Sequence, residues 1–245
     1  MKRSIVSLLS IMLLGLGFNA KAQVATSVSP QGYGDRQFAM DTVFSNKRIR
    51  EDDKMYQISV WRRIDLREKY NLSLYGSGDN RADGIINHLY KAVVEENALE
   101  VFGDEKFTQP LSIAEFQENF WLSANGDSIF VKQLYFLDFK EDFLFDRHHS
   151  EVVFDIKHIE LVMPSPTNAN AGQKTIAYIR YKDFINYFDN HPTARWINFK
   201  NSSKSLTYDE AFEARLFRSV VRKFFNIDDA YIADLVSADH PNPEM

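Results

Sequence analysis

The stretch from Leu137 to Met163 constrains the fold more than any other part of the chain. In "LDFKEDFLFD" the apolar residues Leu137, Phe139, Phe143 and Phe145 occupy alternate positions, and in "EVVFDIKHIELVM" so do Val152, Phe154 and Ile156. A period of two places side chains on one face of a β-strand. The four residues "RHHS" between the runs suit a hairpin loop. Near Lys157 and His158 the apolar positions change phase, to Ile159, Leu161 and Met163. A slip of one residue inside a strand predicts a β-bulge. Pro164 and Pro166 end the second strand. Two long antiparallel strands with an apolar face demand a sheet with something packed on it.

The rest of the chain supplies the cover. "KTIAYIRY" reads as a third strand, and Tyr181 to Phe188 as a helix after it. Before the hairpin, Asp83 can cap a helix carrying Ile85, Ile86, Leu89, Tyr90, Val93 and Val94. Ser112 and Glu115 form a capping box for a shorter helix. After the third strand, Thr207 and Glu210 form another capping box. It opens a long predicted helix to Asn226, with Phe212, Leu216, Val220 and Phe224 at steps of four. A brief helix in "DDAYIADLV" follows. The expected fold class is α+β: an antiparallel, hairpin-led sheet packed with flanking helices, a single domain with an N-terminal arm. The expected boundaries are 1–22 for a signal peptide, 23–53 for an extended arm, 54–236 for the domain and 237–245 for a polar tail.

The signal peptide is read from a basic start (Lys2, Arg3), an apolar run from Ile5 to Phe18, and the small-x-small site Ala20-Lys21-Ala22. Cleavage is expected between Ala22 and Gln23. The run is too short to span a bilayer comfortably, so no direct membrane insertion is expected. The chain has no cysteine, which excludes disulfides and a lipidated N-terminus. Loss of Lys2, Arg3 and Lys21 leaves 26 basic against 34 acidic residues, a net charge of −8. Such a chain has no general attraction to nucleic acid. Twenty Phe, eleven Tyr and three Trp favour an aromatic core, alone or with an adhesive contact face.

No catalytic template fits. The chain lacks G-x-S-x-G, the Walker loop, G-x-G-x-x-G and H-E-x-x-H. "YGSGDN" reads as a connection. No cofactor is expected. His148, His149 and His158, near Asp146 and Asp155, invite a metal reading. Zinc needs three or four ligands at one point, and neighbouring loop histidines point apart, so no metal site is expected. The pairs Glu95-Glu96, Glu141-Asp142 and Asp228-Asp229 read as solvated surface. The alternative function is a periplasmic carboxylate-dependent hydrolase of cell-wall or exported substrates, using Asp142, Asp146 and Asp155. A small-ligand binder is disfavoured because no repeated βαβ pattern appears.

"VWRRIDLREKYN" (Val60 to Asn71) mixes charges with Trp61, Ile64 and Leu66. Tyr56, Val60 and Ile64 at steps of four predict a short helix. On that helix Arg62 and Lys69 find Asp65, whereas Arg63 and Arg67 find no carboxylate at three or four residues. A partner elsewhere in the chain or on another protein is expected for them. Arg67→Ala is therefore expected to do more harm than Arg62→Ala.

These residues carry a resemblance. "VWRRIDLREKYN" is similar to the signature near the start of the GldN/PorN family of gliding-motility and type IX secretion proteins. "KEDFLFDRHHSEVVFDIKHIEL", "YIRYKDFINYF" and "LTYDEAFEARLFRSVVRKFFN" resemble later family blocks in the same order, from about Tyr56 to Ile232. The resemblance implies a non-enzymatic subunit at the inner face of the outer membrane. It implies a multimeric ring with an outer-membrane lipoprotein of GldK/PorK type, linked to the periplasmic part of the GldL–GldM motor. Trp61, Arg63, Arg67, Arg215 and Phe217 are the candidate partner contacts.

Overall fold

The computed structural model describes residues 45, 47, 49–78, 83–123, 126–165, 172–189, 191–196, 198 and 205–239. The signal-peptide and cleavage-site expectations, with the first part of the arm and most of the tail, lie outside these residues. The described part is an α+β domain. One antiparallel sheet comprises β1 (Lys54–Asp65), β2 (Phe136–Asp146), β3 (Glu151–Met163), β4 (Lys174–Arg180) and β5 (Val220–Phe224) in the order β4-β3-β2-β1-β5. The helices are α1 (Leu72–Tyr75), α2 (Ile85–Val94), α3 (Ile113–Trp121), α4 (Tyr181–Phe188), α5 (Tyr208–Glu213) and α6 (Ile232–Asp239).

The hairpin forms as its alternation predicts. β2 and β3 pair from Phe136↔Val162 to Asp146↔Glu151. Lys140 faces His158 while Glu141 faces Ile156, so Lys157 is the bulged residue. The bulge keeps Ile156 and Ile159 on the same inner face despite their odd spacing. The strand-to-helix step at Arg180/Tyr181 and both capping boxes are also present.

Two predicted helices are strands. The "VWRRIDLREKYN" stretch begins inside β1, which pairs along β2 from Lys54 to Asp65. Its apolar residues Tyr56, Ile58, Val60 and Ile64 all have even numbers, so steps of four were also steps of two. The β-branched residues Ile58, Val60 and Ile64 favour the pleated surface. The long late helix stops at Glu213. Arg215 takes φ +51°, its N–H donates to the Phe212 carbonyl, and the Leu216 N–H donates to Ala211. These bonds form a Schellman cap with Arg215 as the left-handed residue. Val220 to Phe224 then pairs along β1. A smaller difference concerns α2. Gly84 is its N-cap, while the Asp83 carboxylate accepts from the Ser77 N–H and hydroxyl at 2.7 and 2.9 Å. Gly76, at φ +79°, packs so closely that a Cβ would lie 2.5 Å from Gly84 N.

The core lies between the inner face of the sheet and the helices. Ile64, Leu137, Phe139, Ile159, Leu161 and Ile179 come from the sheet, and Phe116, Phe120, Phe184, Phe188, Tyr208 and Phe212 from the helices. Phe184 is the aromatic hub, 4.6 Å from Phe188 and 5.7 Å from Phe212 between ring centroids. Burial of such rings contributes roughly 1.5–3 kcal/mol each. On the outer face, Phe107 packs on His158 and Lys140 pairs with Glu105 at 2.5 Å. The segment before β1 docks on the domain: the Ser45 hydroxyl donates to Asp155 at 2.5 Å and Ile49 is buried.

His88 on α2 is buried between the rings of His191 and Tyr208. Burial, then the nearby Lys91 and His191, lower its imidazole to about 4 from 6.5. The folded chain keeps His88 neutral, and the unfolded chain takes up a proton as pH falls below about 6.5. Stability is therefore lost as pH falls from about 6.5 toward about 4. Thermal melts from pH 7.5 to 5 should show a falling midpoint, with a flatter profile for His88→Gln. Equal slopes would contradict the assignment.

Candidate functional site

The charged side chains of the sheet form two clusters, one on each face. Glu141 stands in the apolar phase of β2, between Phe139 and Phe143, and is fully buried. Burying a carboxylate costs several kcal/mol unless cations and donors surround it. Arg62, on the same face of β1, donates Nε–H to Glu141 Oε1 at 2.5 Å. Arg215 donates from Nη1 and Nη2 to Glu141 Oε2 and Oε1 at 2.7 and 3.1 Å. Its guanidinium also stacks on Phe154 at 4.2 Å. The left-handed turn at Arg215 thus both ends α5 and delivers the second cation.

The outer face carries Asp138 at its centre. Arg63 binds it through Nε and Nη2, each at 2.6 Å, in a two-pronged geometry that suits a carboxylate. Arg222 adds a bond at 3.1 Å. Trp61 lies between the ammonium groups of Lys140 and Lys223, 4.6 and 4.4 Å from its ring. Trp61, Arg63, Asp138, Arg222 and Lys223, with Tyr178 and Tyr231, line an open cleft of about 380 Å³ at whose rim Lys140 pairs with Glu105. Each cationic residue named there has a carboxylate partner: Lys140 with Glu105, Lys223 with Asp229, Arg63 and Arg222 with Asp138.

The structure does not gather the five candidate contacts. Trp61 and Arg63 lie on the outer face. Arg215 and Phe217 lie on the inner side, where Phe217 packs on Phe139 and Phe212 at 5.5 and 5.1 Å. Arg67 lies just beyond β1, stacked on Tyr135 at 3.5 Å and paired with Asp65 at 2.7 Å. Burial alone would raise the Asp65 carboxyl, but hydrogen bonds from the Arg67 side chain and backbone hold it below its ordinary value. The missing partners of Arg63 and Arg67 are thus within the chain. Asp65 is two residues from Arg67, a relation that counting at helical spacing passes over. This geometry argues for the opposite ranking to the one expected, because Arg62 serves a fully buried carboxylate whereas Arg67 is itself exposed and serves a half-buried one.

Glu141-Asp142 is not solvated surface, since both residues are buried. Asp142 and Asp155 face each other across β2 and β3, and Lys157 reaches them at 3.7 and 2.8 Å. Gln57 and Ser59 also donate to Asp142, both at 2.6 Å. Asp146 lies apart, at the hairpin end. None of these three acids lines the outer cleft, so the proposed hydrolytic set does not converge there.

Among the described residues, Asp146, His149 and Glu151 can bring ligand atoms within 4.8 Å of one another and could hold a cation. Such a grouping departs from the expectation of no converging ligands, because the hairpin returns Glu151 beside Asp146. The His149 Nδ1–H donates to Asp146 Oδ2 at 2.7 Å, which already engages both groups. That bond lowers the Asp146 carboxyl and raises the His149 imidazole. The Asp146 part of this stabilisation is lost as pH falls through its native value, and the His149 part as pH rises through its own. His158 is elsewhere, buried between Phe107 and Tyr178 and 3.2 Å from Glu160.

Removing both cations of the inner cluster separates its energy from that of the exposed pair. Arg62→Ala with Arg215→Ala leaves Glu141 buried without a cation and should cost roughly 3–5 kcal/mol. Arg67→Ala should cost ~0–1 kcal/mol. Denaturant titration measures both. A larger loss from Arg67→Ala would refute the ordering.

A family model described as "Gliding motility associated protein GldN" matches residues 49–244. A comparison with curated proteins returned no match.

Proposed function

The chain belongs to the GldN family of gliding-motility-associated proteins, and from that membership we propose that it is a non-enzymatic periplasmic ring subunit of the type IX secretion and gliding machinery. The family match across most of the chain carries this reading. The family is one of motility components and not a known enzyme family. In the proposed role the domain packs against an outer-membrane lipoprotein of GldK/PorK type and links it to the periplasmic part of the GldL–GldM motor. Its work is to anchor and transmit force.

Three features support the reading. The first 22 residues have the pattern of an export signal. No described helix is long and apolar enough to cross a membrane, which agrees with attachment through a partner. The cationic side chains of the outer cleft are paired within the chain, a surface built for rigidity more than for capture of a charged small substrate.

A tagged mature chain expressed in its own cells tests the proposal. It should co-purify with the lipoprotein in a high-mass envelope fraction. Recovery of a free monomer while the lipoprotein still forms rings would refute it.

A further inference from the structure

On and around the outer face the chain repeats one small motif, an arginine held between a carboxylate and an aromatic ring. Arg63 bonds to Asp138 and stacks on Phe136 at 4.2 Å. Arg222 bonds to Asp138 and lies 5.0 Å from the centre of the Tyr231 ring. Arg180 pairs with Glu100 and stacks on Phe102 at 4.7 Å. A guanidinium suits both contacts, meeting the carboxylate with its N–H groups and the ring with its flat, weakly hydrated face.

In the outer cleft one acid and one ring stand together without the cation. Glu160 on β3 is the register partner of Tyr178 on β4, and both line the cleft. The Glu160 side chain is only 13% exposed, and among the described residues its one ion-pair contact is with His158, whose Nε2 lies 3.2 Å from Oε1. Trp61 and Tyr231 have cations over their rings, whereas Tyr178 has none among the described residues. Burial, and after it the Glu160 charge, holds the Tyr178 phenol above its ordinary value, which agrees with their closeness. Glu160 also faces Asp138 across β2 and β3. Like charges directly opposite one another weaken a sheet. Asp138 is met by Arg63 and Arg222, and neither forms an ion pair with Glu160. For the sheet alone, an uncharged side chain at 160 would serve better.

We propose that Glu160 and Tyr178 receive an arginine side chain from a different protein of the assembly. This inference rests on the ring-subunit reading above and names a contact surface for it. The incoming guanidinium donates to the remaining oxygen of Glu160 and lies on the Tyr178 ring, completing the arrangement that the chain builds elsewhere from its own residues. Charge complementarity selects a cation, because the cleft's own cations are committed to Asp138, Glu105 and Asp229 and leave Glu160 unmet. The adjoining ring selects arginine over lysine. An arginine seated in a partly desolvated pocket is the kind of contact that carries much of an interface's binding energy.

Glu160→Gln keeps an acceptor for His158 and removes the charge, so it tests the site without emptying it. The purified variant should melt about 1–3 °C above the parent chain, because a repulsion is relieved. In its own cells the same variant should lower recovery of the high-mass envelope assembly by about tenfold. With the purified parent chain, the peptide acetyl-Gly-Arg-Gly-amide at millimolar concentration should shift the NMR signals of the His158 and Tyr178 rings. The same peptide with uncharged citrulline in place of arginine should leave them unmoved. A melting midpoint that does not rise in Glu160→Gln would make the acid a structural partner of His158 and overturn the inference. So would full assembly of the variant, an equal response to the citrulline peptide, or a Glu160-dependent dimer of the purified chain, which would put the arginine on a second copy. If the parent chain assembles with the lipoprotein in any of these cases, the ring reading stands. Free parent chain beside intact lipoprotein rings would overturn that reading, and with it the partner proposed here, whatever the peptide shows.

Discussion

Glu141 is fully buried in a sheet that otherwise buries apolar groups on that face, and its charge is met from two places at once. Arg62 comes from β1 and Arg215 from the turn after α5. The carboxylate therefore ties β2 to its neighbour in the sheet and to the connection that leads into β5. If either guanidinium leaves, the cost of a buried charge rises steeply in a low-dielectric interior. The late segment ends its helix and adds a fifth strand because this arrangement rewards an arginine in the left-handed region, where non-glycine residues are uncommon.

The outer face repeats the principle with less burial. Asp138 collects Arg63 and Arg222, so β1, β2 and β5 are joined on this side too. Trp61 sits between two ammonium groups held by Glu105 and Asp229. The sheet is thereby clamped by ions on both faces: the inner cluster joins β1 and β2 to the turn after α5, and the outer one joins β1, β2 and β5. β5 is nevertheless the shortest strand and an edge. Its stability depends on these clamps more than on its own five residues.

Much of the fold was legible because local patterns and tertiary packing agreed. The hairpin, its bulge at Lys157, the strand-to-helix step at Arg180 and the two capping boxes all follow from spacing or side-chain chemistry within a few residues. The two misread segments share one cause. Apolar residues at 56, 60 and 64, and at 212, 216, 220 and 224, satisfy a period near four and a period of two together. Spacing alone cannot separate helix from strand there, and the intervening Ile58 was the cue on β1. For the late segment, the deciding event is a free edge on β1 that sequence does not display. The site was less legible still. Glu141 was read as solvated surface although it stands in the apolar phase of β2, and its partners are 79 and 74 residues away.

What the chain's own residues determined is local: where strands alternate, where helices begin, and that no thiol chemistry is available. Those properties depend on neighbours within one or two turns, and a linear reading reaches them. Only the tertiary structure decided which arginine meets which acid, that β5 is a strand, and that Phe102 bonds along the β4 edge. Each of these depends on groups far apart in sequence becoming neighbours in space, and the cost of an unpaired buried charge or backbone group is set only after that approach.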